Sequence, residues 1–341
     1  MVGSEKRIKT VCHLGPSESK GGMASIIHLL SSNTPDGWKS NIISTRGRSI
    51  FSIVPKWISA RSKLKSEISS GRAQIAHIHV THSLSWWRKR DLMGICQKGG
   101  VPTIIHIHSG KFDEFCSGIG GKSVKKELAK ENRRTIVLEE RWRDRLQNWI
   151  PSDSIVVNNA AEPITNRDGH ELRGRISLLL LSRKSSIKGH GFATRILEKL
   201  VEKGFDASLT MTGVSISGVK KEYSSRVQAV GWISEEKKSE LIKKADFLLS
   251  PSQFEGSSMS VIESMVCGLP CIVSEASRET VGSEKFTVES EDPEDWADLI
   301  INLSEEENYA KAVEETIQQS EKYRVEKLVI RLGRIYDEMI G

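Results

Sequence analysis

Residues 254–270, FEGSSMSVIESMVCGLP, contain two glutamates whose types and spacing suit a hydroxylated ligand. Glu255 lies in a Gly-Ser-Ser turn, and Glu263 lies eight positions later within an apolar run. Carboxylates on one helix face would be three, four or seven positions apart, so this spacing predicts Glu255 in a loop and Glu263 in the helix that follows. Glu255 could then accept hydrogen bonds from ligand hydroxyls, and Glu263 could bind the vicinal diol of a ribose.

Two simpler interpretations of the pair remain: Glu255 could be an ordinary loop charge, and Glu263 an exposed helix residue. The second is disfavoured because SVIESMVCG is mostly apolar, and an unpaired charge buried there would be costly. The helix is predicted to begin near Ser258, so its first free amides would point at an anion or at sugar hydroxyls. The candidate binding residues of this turn are Gly256, Ser257, Ser258 and Met259.

Two further loops have the composition of anion sites. SRKSSIKGH (182–190) follows the apolar run ISLLLL and offers Arg183 and Lys188, which could hold a diphosphate or could simply be surface cations. GPSESKGGMAS (15–25) precedes a predicted helix, and Gly21 and Gly22 would let its backbone approach a ligand closely. The second loop has neither the GxGxxG nor the GK[ST] pattern of known nucleotide loops.

Histidines recur in HIHVTH (77–82) and HIHSG (106–110). His77 and His79, like His106 and His108, are two apart and so share a strand face, as metal ligands would. Neither pair has a Cys or Asp cluster beside it, and we predict no metal site. We interpret His77, His79 and His106 as structural.

Short apolar runs alternate with helical patterns in both halves of the chain, which predicts an α/β protein with two doubly wound parallel sheets. A polar stretch without periodicity, 160–175, separates the halves. We therefore predict domains at 1–165 and 166–341, with terminal helices that can pack back on the first domain. Two such domains would bind a ligand in a cleft at the carboxyl ends of their strands.

Charge is distributed unevenly over the 341 residues. Residues 1–165 contain 26 Lys and Arg against 14 Asp and Glu, and six of the eight tryptophans, whereas the remainder is acidic. The segments RSIFSIVPKWISARSKLK (48–65) and SWWRKRD (85–91) combine cations with aromatic residues, which suits an anionic membrane surface, although Pro55 interrupts the helical pattern of the first. A solvated basic face is the alternative. The N-terminal stretch predicts no signal peptide, and hence a cytoplasmic protein, peripheral on the membrane where it contacts it.

The order of these segments resembles the retaining family 4 glycosyltransferases, which have the GT-B fold. FEGSSMSVIESMVCGLPCIVS is similar to their E-x7-E motif, and the loops at 21–22, 106–110 and 182–189 are similar in order to other family segments. The resemblance implies a first domain that binds a glycan or polyprenyl-linked acceptor and a second that binds a nucleotide sugar. It implies metal-independent transfer to a hydroxyl without a further cofactor, and the chain contains no Asp-x-Asp.

Roles follow from the same resemblance. Arg183 and Lys188 match the family's diphosphate pair, Glu255 the glutamate beside the donor sugar and Glu263 the one on the ribose. His108 matches the histidine beside the reacting centre. The chain departs from the family where Gly256-Ser257-Ser258 replaces Gly-Phe-Gly, and Ser182-Arg183-Lys184 replaces an Arg-Leu pattern, so the sugar stays open.

Three other functions compete with glycosyl transfer. A GT-B epimerase or phosphorylase would share the fold, and a catalytically degenerate scaffold would bind a nucleotide sugar without turnover. A nucleic-acid binder could use the basic half, but none of the known binding motifs is present, so no nucleic-acid partner is predicted.

Overall fold

The computed structural model describes residues 8–19, 21–47, 49–167, 171–172, 174–214 and 221–341. Lys20 and Arg48, which belong to two of the predicted binding segments, lie outside the described residues, as do residues 168–170 and 173 of the predicted linker. The chain forms two compact units. Unit 1 ends its first part at Asn159 and also contains Val325–Gly341, and unit 2 is Ala160–Arg324.

Twelve strands are present in the described part of the chain. They are β1 (Lys9–Gly15), β2 (Trp38–Ser44), β3 (Ile75–Val80), β4 (Thr103–Ile107), β5 (Arg133–Val137), β6 (Ile155–Val156), β7 (Ile176–Leu180), β8 (Ala207–Thr212), β9 (Val227–Val230), β10 (Phe247–Ser250), β11 (Cys271–Ser274) and β12 (Thr287–Val288).

Thirteen α-helices accompany these strands over the same described ranges. They are α1 (Gly22–Ser32), α2 (Ile53–Ser69), α3 (Leu84–Lys98), α4 (Phe112–Phe115), α5 (Gly121–Leu128), α6 (Glu140–Leu146), α7 (His190–Glu202), α8 (Glu235–Lys244), α9 (Met259–Met265), α10 (Arg278–Val281), α11 (Pro293–Leu303), α12 (Glu306–Ser320) and α13 (Val325–Ile340). No helix in the described ranges has both the length and the apolar character that a membrane crossing requires.

Each unit is built on a six-stranded sheet in which all pairs are parallel. The strand order is β2-β1-β3-β4-β5-β6 in unit 1 and β12-β11-β10-β7-β8-β9 in unit 2. Helices follow most strands and cover the sheets, so strands such as β3 and β10 are buried along their whole length. The predicted architecture of two doubly wound parallel sheets is confirmed.

The two faces of the unit 1 sheet differ in chemistry. One face contributes Ile78 and Ile105 to an apolar core shared with α2 and α3. The alternate positions of the same strands place His77 and His79 on the opposite face, where Tyr336 of α13 lies with its hydroxyl 2.9 Å from His77 Nδ1. This face is therefore buried but polar, which requires its ring nitrogens to find partners inside the protein.

The last helix belongs to unit 1 although it follows unit 2 in sequence. Asp337 of α13 accepts hydrogen bonds from Lys9 Nζ at 2.8 Å and from Trp38 Nε1 at 3.2 Å. The expectation that terminal helices pack back on the first domain is confirmed for α13, while α11 and α12 stay in unit 2. The chain thus passes between the units at 159/160 and 324/325, in place of the single boundary at 165/166 drawn from the sequence.

Unit 2 packs its sheet around Phe247, whose ring meets Tyr309 edge-on at 5.4 Å between centroids. Arg167 is buried beside them, and its guanidinium donates to the Ile242 and Ala245 carbonyls and to the Tyr309 hydroxyl. These carbonyls lie at the end of α8, where helix carbonyls lack intrahelical partners. Arg167 therefore fixes the C-terminal end of α8 to the core of unit 2.

Tyr336→Phe tests the polar face of unit 1. Removing the hydroxyl leaves a buried nitrogen of His77 without its partner, and we expect the free energy of unfolding to fall by about 1–3 kcal/mol. Urea unfolding followed by circular dichroism measures it. Ile330→Ala, at an exposed position of the same helix, is the control and should change stability by less than about 0.5 kcal/mol. Equal midpoints for Tyr336→Phe and the wild type would contradict the assigned role of this contact.

Candidate functional site

Two residues singled out from the sequence form an ion pair in unit 2. Lys188 Nζ lies 2.5 Å from Glu255 Oε1, and the side chains are only 18% and 9% exposed. Lys188 ends a short 3₁₀ turn in the loop after β7, and Glu255 lies in the loop after β10. Because β7 and β10 are neighbouring parallel strands, their carboxyl ends bring these two loops together.

A close approach of backbone holds the two loops in register. The Gln253 amide donates to the Ile187 carbonyl at 2.9 Å. Gly189 has a φ of 72°, and a Cβ placed on it would lie 2.5 Å from the Pro251 carbonyl oxygen. A side chain at this position would both strain the backbone and separate the loops. The position of Lys188 against Glu255 therefore depends on the glycine that follows it.

His190 fixes the other end of the Lys188 loop. Its Nε2 lies 3.0 Å from Ser182 Oγ and 3.1 Å from the Thr212 carbonyl oxygen, so the ring links the end of β7 to the end of β8. Sequence reasoning did not assign this histidine a role. Its position at the end of SRKSSIKGH was a signal, but its contact with Thr212 depends on the pairing of two strands that are far apart in sequence.

Arg183 lies in the same loop, and its side chain is exposed. Within the described residues the guanidinium makes no hydrogen bond or ion pair. Lys188 is paired and mostly buried, whereas Arg183 presents a planar cation to solvent. The two cations that were predicted to bind an anion therefore lie in one loop but in different environments, one paired and mostly buried and the other exposed.

Glu263 lies in α9, and Glu255 lies in the loop before it, as their spacing predicted. Glu263 Oε2 is 2.9 Å from Lys238 Nζ of α8, with the side chains 17% and 14% exposed. Burial raises the pKa of the Glu263 carboxyl, and the Lys238 ammonium acts against that shift. Sequence analysis missed Lys238 because it stands in SEEKKSELIKK, where charged residues on an exposed helix face are expected.

The turn between the two glutamates leads directly into α9. Ser258 is the residue before the helix, but its Oγ lies 3.2 Å from Ser260 Oγ and does not cap the first turn. Ser257 Oγ is buried and has no hydrogen-bond partner among the described residues. Met259 is the first residue of α9. The Ser258 side chain therefore accepts no hydrogen bond from the backbone amides that were predicted to bind an anion.

Gly21 and Gly22 of unit 1 lie where the sequence placed them. Gly21 has a φ of 132° and directly precedes α1, which begins at Gly22. Among the described residues no side chain caps this helix, and no atom lies within 4 Å of the position a Cβ would take on Gly21. Within the described part of the chain, the space beside the Gly21 backbone is therefore empty.

Five histidines of unit 1, four in β1, β3 and β4 and one directly after β4, lie on the same face of the sheet. His13 Nδ1 is 3.2 Å from His79 Nε2, His79 Nδ1 is 2.9 Å from His108 Nε2, and His77 Nε2 is 3.1 Å from His106 Nδ1. Burial lowers the pKa of His13 and His108 to about 3 and the pKa of the other three well below its ordinary value. The rings are therefore neutral, and each contact pairs a donor with an acceptor nitrogen.

These rings include two groups that could hold a metal ion, His13 with His77 and His79, and His79 with His106 and His108. In each group the three ligand nitrogens lie within 4.8 Å of one another. Most of these nitrogens already pair with one another, although His106 Nε2 has no hydrogen-bond partner in the described structure. Lys89 is also buried beside the cluster, where its Nζ donates to the His79 carbonyl at 2.8 Å and burial lowers its pKa to about 7, and no carboxylate belongs to either group. The arrangement therefore favours hydrogen-bonded neutral rings over a bound cation.

His108 differs from the other four because it lies just beyond β4 and is only half-buried. Its amide donates to the Val80 carbonyl at 2.9 Å, and its Nε2 contacts His79. His82, which follows β3, makes no hydrogen bond or ring contact with the other described histidines, and its Nδ1 lies 2.6 Å from Ser109 Oγ. His108 is thus the one ring of the five that is partly accessible to solvent.

An apolar stripe on unit 1 faces solvent. Phe51, in the turn before α2, is 89% exposed, and Val54 and Ile58 of α2 are also exposed at helical spacing. Pro55 does not interrupt the helix, contrary to the sequence prediction, because it is the third residue of α2, where backbone N–H groups lack partners in any case. Lys63 and Lys65 are exposed on later turns.

Known proteins match the chain at two levels. Residues 175–306 match the family model of the group 1 glycosyl transferases. An uncharacterized glycosyltransferase of Methanocaldococcus jannaschii, MJ1178, is 29% identical over 126 residues, or 36% of each chain. The putative glycosyltransferase EpsF of Bacillus subtilis is 28% identical over 108 residues, 30% of this chain and 28% of that one. The matched segment spans about a third of the length of these relatives, and the family match lies in the half that contains both glutamates.

Solved structures match the whole chain. Sucrose-phosphate synthase of Thermosynechococcus elongatus superposes with a TM-score of 0.75 at 15% identity and covers 97% of this chain and 99% of its own. Anabaena HepE in complex with UDP and glucose has a TM-score of 0.71 at 11% identity and covers 97% and 100%. At such identities the likeness establishes the fold alone, and that fold is GT-B, with two Rossmann-like units.

Gly189→Ala tests how the loops of unit 2 are held. We expect the free energy of unfolding to fall by at least about 1–2 kcal/mol, because alanine is strained in the left-handed region and its Cβ meets the Pro251 carbonyl. Gly191→Ala is the matched control. Gly191 lies in α7 with no atom within 4 Å of the position a Cβ would take, and alanine there should leave stability unchanged or raise it by up to about 1 kcal/mol. Similar losses in both variants would contradict this account.

Proposed function

We propose that the protein is a retaining, metal-independent glycosyltransferase. It moves a sugar from a nucleoside-diphosphate donor to a hydroxyl of a glycan or lipid-linked acceptor. The observation that carries the proposal is the mostly buried ion pair of Lys188 with Glu255. Both residues, together with Glu263 eight positions after Glu255, lie inside the segment that matches the group 1 glycosyl transferases. Retention and the acceptor class rest on the resemblance to family 4 enzymes.

Unit 2 would bind the donor through its diphosphate and its ribose. Arg183 supplies a planar fork for two phosphate oxygens, and Lys188 supplies a point charge. As the bond between the sugar and the diphosphate breaks, negative charge develops on the phosphate oxygens, and these cations with the amides near Ser258 stabilise it. In other transferases a bound metal ion stabilises this charge, and here the fixed side chains and amides would do so.

Before the donor binds, Lys188 is paired with Glu255. A diphosphate that reaches the Lys188 ammonium competes with the carboxylate for its hydrogens, and the carboxylate becomes an acceptor for hydroxyls of the sugar. Glu255 would then position the donor ring, and His108 would contact the sugar near the bond being made. Because burial lowers the pKa of His108 to about 3, its ring acts as a neutral hydrogen-bonding group and not as a cation.

Uridine diphosphate is the first donor nucleotide to test, because the Anabaena HepE structures contain UDP and UDP-glucose. The loops around 213–233 are candidates for contact with the base, and exposed Trp232 could stack on it; residues 215–220 lie outside the described residues. We propose a nucleotide sugar as partner.

Peripheral membrane contact is a second element of the proposal. The exposed stripe of Phe51, Val54 and Ile58 offers apolar area that can enter a lipid interface, and Lys63 with Lys65 can meet anionic headgroups. A lipid-linked acceptor resides at such an interface. The stripe would therefore bring unit 1 to the acceptor at the cytoplasmic face of a membrane.

Thermal-shift assays with UDP, GDP, ADP and their sugars test the donor assignment. A ligand at a hundredfold excess over its Kd stabilises the protein by about 2.7 kcal/mol, so the true donor should raise the melting temperature. Arg183→Ala should lose most of this shift, whereas Lys184→Ala, the adjacent exposed cation, should keep it. An unchanged shift in Arg183→Ala would contradict the diphosphate assignment.

Turnover separates an enzyme from a binding scaffold. With the donor so identified, Glu255→Gln should lower the transfer rate by about 10²–10³-fold, because a positioned charged contact to the transition state is lost. Quantifying released nucleoside diphosphate and glycosylated acceptor measures it. Binding of a nucleotide sugar without turnover by the wild type would instead indicate the degenerate scaffold.

Vesicle co-sedimentation tests the membrane contact. We expect the wild type to partition to phosphatidylglycerol-containing vesicles and less to phosphatidylcholine alone. Combined serine substitutions at Phe51, Val54 and Ile58 should lower the partition coefficient about tenfold or more, since each apolar side chain buried contributes about 1.5–3 kcal/mol. Ile330→Ser, an exposed apolar residue on α13, is the control. Equal partitioning of the triple variant and the wild type would contradict the contact.

A further inference from the structure

A buried ion pair joins α8 to α9 beside the proposed donor site. Lys238 Nζ lies 2.9 Å from Glu263 Oε2 and 2.7 Å from Glu235 Oε2. Glu235 is exposed, whereas Lys238 and Glu263 are mostly buried. Lys238 belongs to none of the motifs that the sequence offered, yet it is the cation in contact with the second glutamate of the E-x7-E segment.

The contact leaves part of the Glu263 carboxylate available. Lys238 occupies Oε2, and Oε1 makes no hydrogen bond within the described residues. An ionised carboxylate has about four acceptor positions on its two oxygens. One ammonium contact therefore still leaves room for two hydroxyl hydrogens, which is the number that a ribose diol presents.

Lys238 also determines the charge and the direction of this carboxylate. Burial raises the pKa of Glu263, so without a nearby cation the group would tend toward its protonated form. A protonated carboxyl is a weaker acceptor for hydroxyl groups than a carboxylate. The ammonium at 2.9 Å counteracts burial and restrains the rotation of the carboxylate plane.

The helix that carries Lys238 is fixed at both ends. Ser234 directly precedes α8, and its Oγ accepts a hydrogen bond from the Lys237 amide at 3.3 Å. At the other end, Arg167 donates to the carbonyls of Ile242 and Ala245. A cation on a helix held in this way has a defined position, as a group that orients another side chain requires.

We propose that Lys238 is a positioning residue for the donor's ribose: its ammonium orients the Glu263 carboxylate so that Glu263 accepts from both ribose hydroxyls. The inference rests on the proposed function and adds a substrate class to it. A ribose site of this kind prefers ribonucleoside diphosphate sugars to 2′-deoxy donors such as thymidine diphosphate sugars. A missing hydroxyl would leave an oxygen of the Glu263 carboxylate without its hydrogen-bond partner.

Calorimetric titration of the full chain with UDP and 2′-deoxy-UDP tests the proposal. If the wild type binds GDP or ADP and not UDP, that nucleotide and its 2′-deoxy form are used in their place. The wild type should bind the ribonucleotide about tenfold more tightly than the deoxy form, as expected for a hydrogen bond to a charged group. Lys238→Met should weaken ribonucleotide binding about tenfold and reduce the ratio of the two affinities to less than about threefold. Lys238→Arg should retain most of the ratio.

Two controls separate positioning from a general structural effect. Lys237→Met removes a neighbouring cation of the same helix, which pairs with Glu240 at 2.8 Å, and should leave both affinities unchanged. The ratio between ribose and deoxyribose ligands is itself insensitive to a uniform loss of folded protein. If Lys238→Met fails to fold, Lys238→Gln, which keeps a polar chain without the charge, gives the same comparison.

The outcomes distinguish this inference from the proposed function. An unchanged affinity ratio in Lys238→Met, with the ratio abolished in Glu263→Gln, overturns the role of Lys238 and leaves the ribose role of Glu263 intact. Tighter ribonucleotide binding in Lys238→Met also overturns it, since Lys238 would then compete with the ribose. A ratio unchanged in Glu263→Gln removes the ribose assignment on which the inference rests. No binding of any of the three nucleotides to the wild type overturns both proposals.

Discussion

The structure of unit 2 depends on one electrostatic constraint, that a charge withdrawn from water must have a partner close by. Lys188 and Glu255 satisfy each other at 2.5 Å, in loops that two neighbouring strands deliver to the same edge of the sheet. The backbone supports this pairing through Gly189, which lets the loops approach more closely than any side chain would allow. In the proposed reaction, a ligand with its own negative charges would bind by taking the place of Glu255 at the Lys188 ammonium.

Unit 1 meets the same constraint in a different way. Its five clustered histidines lose their charge, because burial lowers their pKa values, and neutral rings then bind one another as donors and acceptors. Tyr336 completes the arrangement at one end, and half-buried His108 forms the other. The histidines of this face are thus neutral rings that need no counter-ions.

The sequence was sufficient to predict the architecture and the order of the site segments, because buried parallel strands appear as apolar runs and loops after them hold the polar groups. It placed Glu255 in a loop and Glu263 in a helix from spacing alone. The roles of Lys238, His190 and His13 could not be predicted, because each role depends on a contact between strands or helices that are separated in sequence. The break expected at Pro55 was wrong because the position of a proline within a helix, and not its presence, decides whether a hydrogen bond is lost.

The chain returns to unit 1 for its last seventeen residues, Val325–Gly341, and this has a consequence for how the protein is made. A ribosome releases the six strands of unit 1 long before it synthesises Tyr336 and Asp337, which complete the contacts of His77, Lys9 and Trp38. Unit 2, whose residues are contiguous, can mature first. The histidine face of unit 1 is thus completed only after unit 2 has been synthesised.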